Sequence, residues 1–232
     1  MKKIVEGASA EGRGRFNVIS EGRIGLSSFI PIKMLGKGSF GQVYLVKKKN
    51  TGEYYAMKIQ SKSMVIAQNL AKYVYTEKNV QSGIKHNFIV KLRCAFQTKT
   101  KLCMVMDYCK AGDLGHVLQR DGRLTESRAR IYAAEILLAI EELHRHEIIY
   151  RDLKPDNVVL DEEGHAMLTD FGLSKQGIKE ADSTQSFCGS VAYLAPEVLR
   201  RSGHGRTVDW YLLGVLLYEM IVGMPPYFDR NK

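Results

Sequence analysis

The run Gly36-x-Gly38-x-x-Gly41 constrains the fold most, because of the residues that come directly after it. Three glycines at this spacing serve quite different phosphate-binding folds and also arise by chance. A dinucleotide fold runs from the glycines straight into a helix, whose N-terminus meets the pyrophosphate. Here Val43, Leu45 and residues 54 to 59 alternate with polar neighbours, and Asn50-Thr51-Gly52 supplies a turn between the runs. The pattern predicts a β-hairpin, whose glycines let backbone N–H groups approach an anion closely. Lys58, 17 residues past Gly41 on the returning strand, is a candidate cation for that anion. Taken alone it is better read as a solvated strand lysine.

With 232 residues, 45% of them hydrophobic, the chain is long enough for one substantial core or two small lobes. Residues 29 to 110 hold 15 basic and 3 acidic side chains, whereas residues 111 to 232 hold 14 and 19, so the halves differ in sign. Such asymmetry points to two lobes with different partners: phosphates or an acidic membrane surface for the first, cationic groups for the second. Nucleic acid is disfavoured, because the basic half lacks interleaved aromatics for stacking. Cys94, Cys103, Cys109 and Cys188 have no metal-ligand spacing and read as reduced thiols. Met1-Lys2-Lys3 is followed by no apolar stretch, and the run from Tyr211 to Met224 is interrupted by Glu219, so neither a signal peptide nor a transmembrane segment is expected. A cytoplasmic protein, or a nuclear one, fits best.

Residues 1 to 28 read as a flexible leader. From Phe29 to Tyr108 strands are interrupted by one helix, about Met64 to Ser82. Thr125 is placed to cap a helix from about Arg128 to His144, on which Ile131, Ala134 and Leu138 share an apolar, core-building face. An apolar helix is expected later, at about Val208 to Ile221.

Tyr150-Arg151-Asp152-Leu153-Lys154-Pro155-Asp156-Asn157, then Asp170-Phe171-Gly172 and Ala195-Pro196-Glu197, occur in that order, with Asp170 18 residues beyond Asp152. Together with the glycine loop they closely resemble the signature set of eukaryotic protein kinases. Lys154-Pro155-Asp156-Asn157 is similar to the serine/threonine class, and Phe187-Cys188-Gly189 and Val208-Asp209-Trp210 resemble the AGC group of cyclic-nucleotide-dependent, ribosomal-S6 and Akt-type kinases.

The resemblance implies an α+β bilobal fold: a small antiparallel-sheet lobe over residues 29–110 and a mainly helical, C-terminally incomplete lobe over residues 111–232. It implies ATP and Mg²⁺ as cofactors and transfer of phosphate to serine or threonine hydroxyls of proteins. The alternative is a kinase-like module that holds nucleotide but transfers little. By the same resemblance, Leu35-Gly36-Lys37-Gly38-Ser39-Phe40-Gly41-Gln42-Val43 covers ATP, Ala56 and the hinge residues Met106, Asp107 and Cys109 surround adenine, and Asp113 meets the ribose. Lys58, paired with Glu77, holds phosphates; Asn157 and Asp170 bind the metal; Asp152 takes the hydroxyl proton and Lys154 neutralises the moving group. Asp113, Asp156 and Glu219 would face arginines of the substrate, beside Ser190. Ser186 is the expected activation-loop phosphosite for an upstream kinase, its phosphate pairing with Arg151 and Lys175.

Overall fold

A computed structural model describes residues 24–38, 41–180, 182–185 and 188–228. The first half is a five-stranded antiparallel sheet made of β1 (Phe29–Gly38), β2 (Gly41–Lys48), β3 (Tyr54–Ser61), β4 (Leu92–Gln97) and β5 (Lys101–Asp107), in the order β1-β2-β3-β5-β4. The expected hairpin is β2 and β3, turning at residues 49 to 53, and the glycine run closes a second one, β1 and β2, with Gly38 opposite Gly41. Gly41 has φ 150°, and a Cβ there would lie 2.5 Å from the carbonyl oxygen of Ile59, so only glycine allows β2 to start so close to β3. Register then sets Val43 opposite Lys58 and Ala56 opposite Met106.

Between β3 and β4 the fold departs from the sequence pattern. Two helices, α1 (Lys62–Ala67) and α2 (Ala71–Gly83), replace the single one expected over residues 64 to 82. Asn69 adopts φ 54°, and Leu70 N–H donates back to the Val65 carbonyl at 2.8 Å, closing α1 as a left-handed C-cap that asparagine tolerates. The break lets α2 take its own direction and lay Glu77 against the sheet.

The second half is helical: α3 (Leu114–Asp121), α4 (Glu126–Arg145), the short pair β6 (Val158–Leu160) and β7 (Ala166–Leu168), α5 (Pro196–Leu199) and α6 (Thr207–Val222). Thr125 caps α4 by accepting from Arg128 N–H. The face of α4 assigned to the core is corrected by the structure, since Ile131, Ala134 and Leu138 face solvent. Ala129, Tyr132, Ile136, Ala139, Ile140 and Leu143 are buried instead. The helix carries two apolar stripes, and the choice between them is made by α6 and β7, which pack on the second. Among the described residues no helix is long and apolar enough to cross a membrane.

Backbone hydrogen bonds join the halves: Val90 N–H to the Leu168 carbonyl, and Leu168 N–H to that of Phe88. A cleft of about 880 Å³ lies between sheet and helices.

Candidate active site

Lys58 leaves β3 towards the cleft floor, only 5% exposed. Its Nζ lies 2.5 Å from Glu77 Oε1, from α2, and 3.2 Å from Asp170 Oδ1. Burial opposes the charge on Lys58, but the carboxylates of Glu77 and Asp170 overcome it and hold the ammonium above its ordinary range. Such a buried pair persists only with good geometry, because desolvation offsets much of the attraction. Asp170 sits at φ 55°, a strained conformation for a non-glycine residue, and its side chain remains 38% exposed to the cleft. Lys58 therefore holds one buried carboxylate behind it and one open carboxylate in front.

Facing them is the loop after α4. Lys154 Nζ donates to Asp152 Oδ2 and to Ser190 Oγ, each at 3.2 Å. Asn157 Nδ2 donates to the Asp152 backbone oxygen at 2.7 Å and to its Oδ2 at 2.8 Å. Burial pushes the Asp152 carboxyl above its ordinary range, against the opposing pull of Lys154 and Asn157. The loop is fixed from beneath by Asp209 of α6, fully buried, which accepts from Tyr150 N–H at 2.9 Å and Arg151 N–H at 2.8 Å. Tyr150, also fully buried, donates through its hydroxyl to the Thr169 carbonyl and meets Phe171 edge to face, tying this loop to the segment that carries Asp170.

The donor set suits a hard divalent ion that keeps some of its waters. No cluster of three or more His, Cys, Asp or Glu that could hold a metal occurs among the described residues. Asp170 offers a carboxylate, and Asn157, with its Nδ2 committed to Asp152, has its Oδ1 left to offer. Two protein oxygens fit an ion completed by phosphate and water, as Mg²⁺ is, better than a cage such as Ca²⁺ takes.

The other sequence-predicted residues divide. Leu35, Gly36, Lys37, Gly38, Gly41 and Val43 line the cleft from the hairpin, and Ala56, Met106, Asp107, Cys109 and Asp113 line it as well. Gln42 is not among the lining residues, and its Oε1 accepts from the Tyr44 hydroxyl at 3.0 Å. The Asp107 side chain pairs with Arg93, leaving its backbone for the cleft. The Cys109 thiol meets Met167 Sδ at 3.9 Å and is pushed up to about 12, chiefly by burial. Asp113 caps α3 by accepting from His116 N–H. Gly115, beside it, has no side chain to separate Asp113 from Asp156: a Cβ there would come within 3.2 Å of one carboxylate and 3.4 Å of the other. Glu219 accepts from the Tyr193 hydroxyl at 2.6 Å, and burial, partly opposed by that bond and reinforced by Asp156, raises its carboxyl. Ser39, Phe40 and Ser186 lie outside the described residues. Arg151 Nε donates to the Leu173 carbonyl, and Lys175 Nζ donates to Thr184 Oγ1.

Sequence reasoning gave no role to two residues that shape the site: Asp209, named only within the Val208-Asp209-Trp210 motif, which anchors the Asp152 loop, and Tyr193, the partner of Glu219. The signal for Asp209 was an acid at the head of an otherwise apolar helical run.

A sheet lobe and a helical lobe, each sending charged side chains into one nucleotide-sized cleft, define a bilobal α+β protein whose site exists only between the two. Residues 29–232 match the protein kinase domain, and the chain belongs to that family. It is 47% identical over 210 residues to the RAC family serine/threonine-protein kinase homolog of Dictyostelium discoideum, covering 90% of this chain and 47% of that protein. To human RAC-beta serine/threonine-protein kinase it is 46% identical, covering 90% of this chain and 44% of the relative. To rat serine/threonine-protein kinase Sgk3 it is 48% identical, covering 88% and 42%. These relatives accord with the AGC-type resemblance, and the chain spans less than half the length of each.

Proposed function

We propose that this chain transfers the γ-phosphoryl group of ATP, with Mg²⁺, to serine or threonine hydroxyls of protein substrates. The observation that carries the reading is Lys58 Nζ, held 2.5 Å from Glu77 and 3.2 Å from Asp170 across a cleft that Asp152 and Asn157 also line. In it Lys58 binds the α- and β-phosphates under the glycine hairpin, while Asp170 and Asn157 Oδ1 hold the ion. When bound, that ion neutralises charge on the phosphates. Asp152, held by Asn157 and Lys154, orients the acceptor hydroxyl and takes its proton, and its raised carboxyl suits proton acceptance better than an ordinary aspartate. Lys154 offsets charge on the group in transit, and its contact with Ser190 keeps it over the acceptor.

Substrate preference and control belong to the same proposal. Asp113, Asp156 and Glu219 form an acidic approach suited to arginines N-terminal to the target residue, with Ser190 beside the acceptor. Arg151 and Lys175 stand close enough that burial, and then Arg151, lowers the proton affinity of Lys175. A phosphate on Ser186, added by an upstream kinase, would relieve that repulsion and order the loop. The basic sheet lobe suits an acidic membrane surface as a second partner, and a chain using ATP on intracellular proteins belongs in the cytoplasm or nucleus.

The test is the initial rate of transfer from ATP to a serine peptide with two upstream arginines, and to the same peptide with alanines there, across pH. The arginine peptide should be favoured about tenfold or more in kcat/KM, the scale of one good charged contact. Protonated Asp152 accepts no proton, so the rate should fall on acidification, with a midpoint above the ordinary aspartate value of about 3.9. Preference for acidic or proline-directed peptides would remove the substrate assignment.

A further inference from the structure

A second cavity, of about 420 Å³, shares no lining residue with the cleft. His144 at the end of α4, Glu180 and Asp182, and Gly205, Arg206 and Trp210 around the start of α6 form its walls. A Cβ on Gly205 would lie 2.9 Å from the Asp182 carbonyl oxygen, so this glycine lets the acidic segment close against α6.

The tautomer of His144 is set by its partner. The His144 side chain is 9% exposed, and its Nε2 lies 2.8 Å from Asp209 Oδ2. Asp209 already accepts from the N–H groups of Tyr150 and Arg151, and with Asp209 as the acceptor for His144 too, Nε2 is the donor of that pair. In the neutral ring Nδ1 is then a lone-pair acceptor. It has no partner among the described residues, on a side chain more than nine-tenths buried in the cavity wall. Glu180 makes no hydrogen bond or ion pair among the described residues. Asp182 spends Oδ2 on Lys179 N–H at 2.9 Å and keeps its other oxygen. Arg206 brings opposing charge, but its Nε and Nη2 both donate to the Ile178 carbonyl, at 3.1 and 3.0 Å. The start of α6 attracts anions, and Asp209 in its first turn already answers that dipole. Trp210, 5.0 Å from the His144 ring and 39% exposed, adds an aromatic face.

Acceptors, excess carboxylate and an indole together make a cation site. We propose that this cavity binds a guanidinium or primary ammonium group, which donates to His144 Nδ1 and to Glu180 and Asp182 while resting on Trp210. Because His144 and the backbone of Tyr150 and Arg151 share the Asp209 carboxylate, the occupant stands one residue behind the loop that presents Asp152.

Trp210 is the only tryptophan in the chain, so its fluorescence reports on this cavity directly. The 232-residue chain is titrated at constant ionic strength with agmatine, with acetyl-Ala-Arg-Ala-amide and with sodium sulfate. Agmatine or the peptide should give a saturable change, weakened about fivefold in Glu180→Gln and about tenfold or more in the Glu180→Gln/Asp182→Asn double variant. Tighter binding of agmatine assigns the site to free amines, and tighter binding of the peptide to an arginine side chain. Both substituted residues are exposed, and far-ultraviolet circular dichroism checks that the fold is kept; Glu180→Gln alone decides if the double variant does not fold. Saturation by sulfate and not by the cations, absence of saturation by any probe, or cation curves unchanged in the variants, overturns the proposal.

Discussion

Asp170→Asn should lower the rate of phosphoryl transfer by about 10³-fold or more, the scale of losing a preorganised electrostatic contact at the reacting group. The change is nearly isosteric. The amide oxygen still accepts from Lys58 and from Gly172 N–H, as Oδ1 does at 3.2 and 3.4 Å, so the loop geometry should survive. What is lost is one negative charge on a half-open side chain that faces the cleft. Single-turnover transfer with saturating Mg²⁺·ATP reports the chemical step, and the melting temperature reports the fold. A large fall in rate with little change in melting places Asp170 in the chemistry. Transfer within about fivefold of the parent would contradict the role given to it.

The second large effect falls on stability. Asp209→Ala should destabilise the chain by about 3–5 kcal/mol, the cost of removing one partner from a buried charged network. Three donors lose their acceptor at once: Tyr150 N–H, Arg151 N–H and His144 Nε2–H, all against a residue with no solvent exposure. Water cannot readily replace the carboxylate there, so each donor bears its desolvation cost. Against a typical domain stability of about 5–15 kcal/mol, that loss is a large fraction. Urea unfolding measures it, and Asp209→Asn, which keeps one acceptor oxygen, should fall between. A change under about 1 kcal/mol in the alanine variant would show that the loop is held by something else.

The hairpin, the order of lobes and the span of α6 were legible because each is written locally, as alternation, turn residues or a largely apolar run. Sequence patterns misled where local signals tied. On α4, Ile131, Ala134 and Leu138 repeat as regularly as Tyr132, Ile136 and Leu143, and only contact with α6 and β7 separates the stripes. At Asn69 one residue in the left-handed region divides a helix that composition would continue. Lys58, Glu77 and Asp170 were nameable from motifs, but the exposure of Asp170 against the burial of Glu77 was not, since burial depends on residues 112 positions apart meeting. Gln42 shows the reverse case: it directly follows the glycine motif, and strand alternation together with the Tyr44 hydroxyl turns it from the cleft.

The most direct measurement is a crystal structure of the chain with a non-hydrolysable ATP analogue and Mg²⁺. It should show the α- and β-phosphates on Lys58 Nζ and Mg²⁺ about 2.1 Å from Asp170 and Asn157 oxygens. Asp152 should stand open to the γ-phosphate. Nucleotide bound elsewhere, or in the cleft with Lys58, Asn157 and Asp170 all turned from its phosphates, would contradict the account.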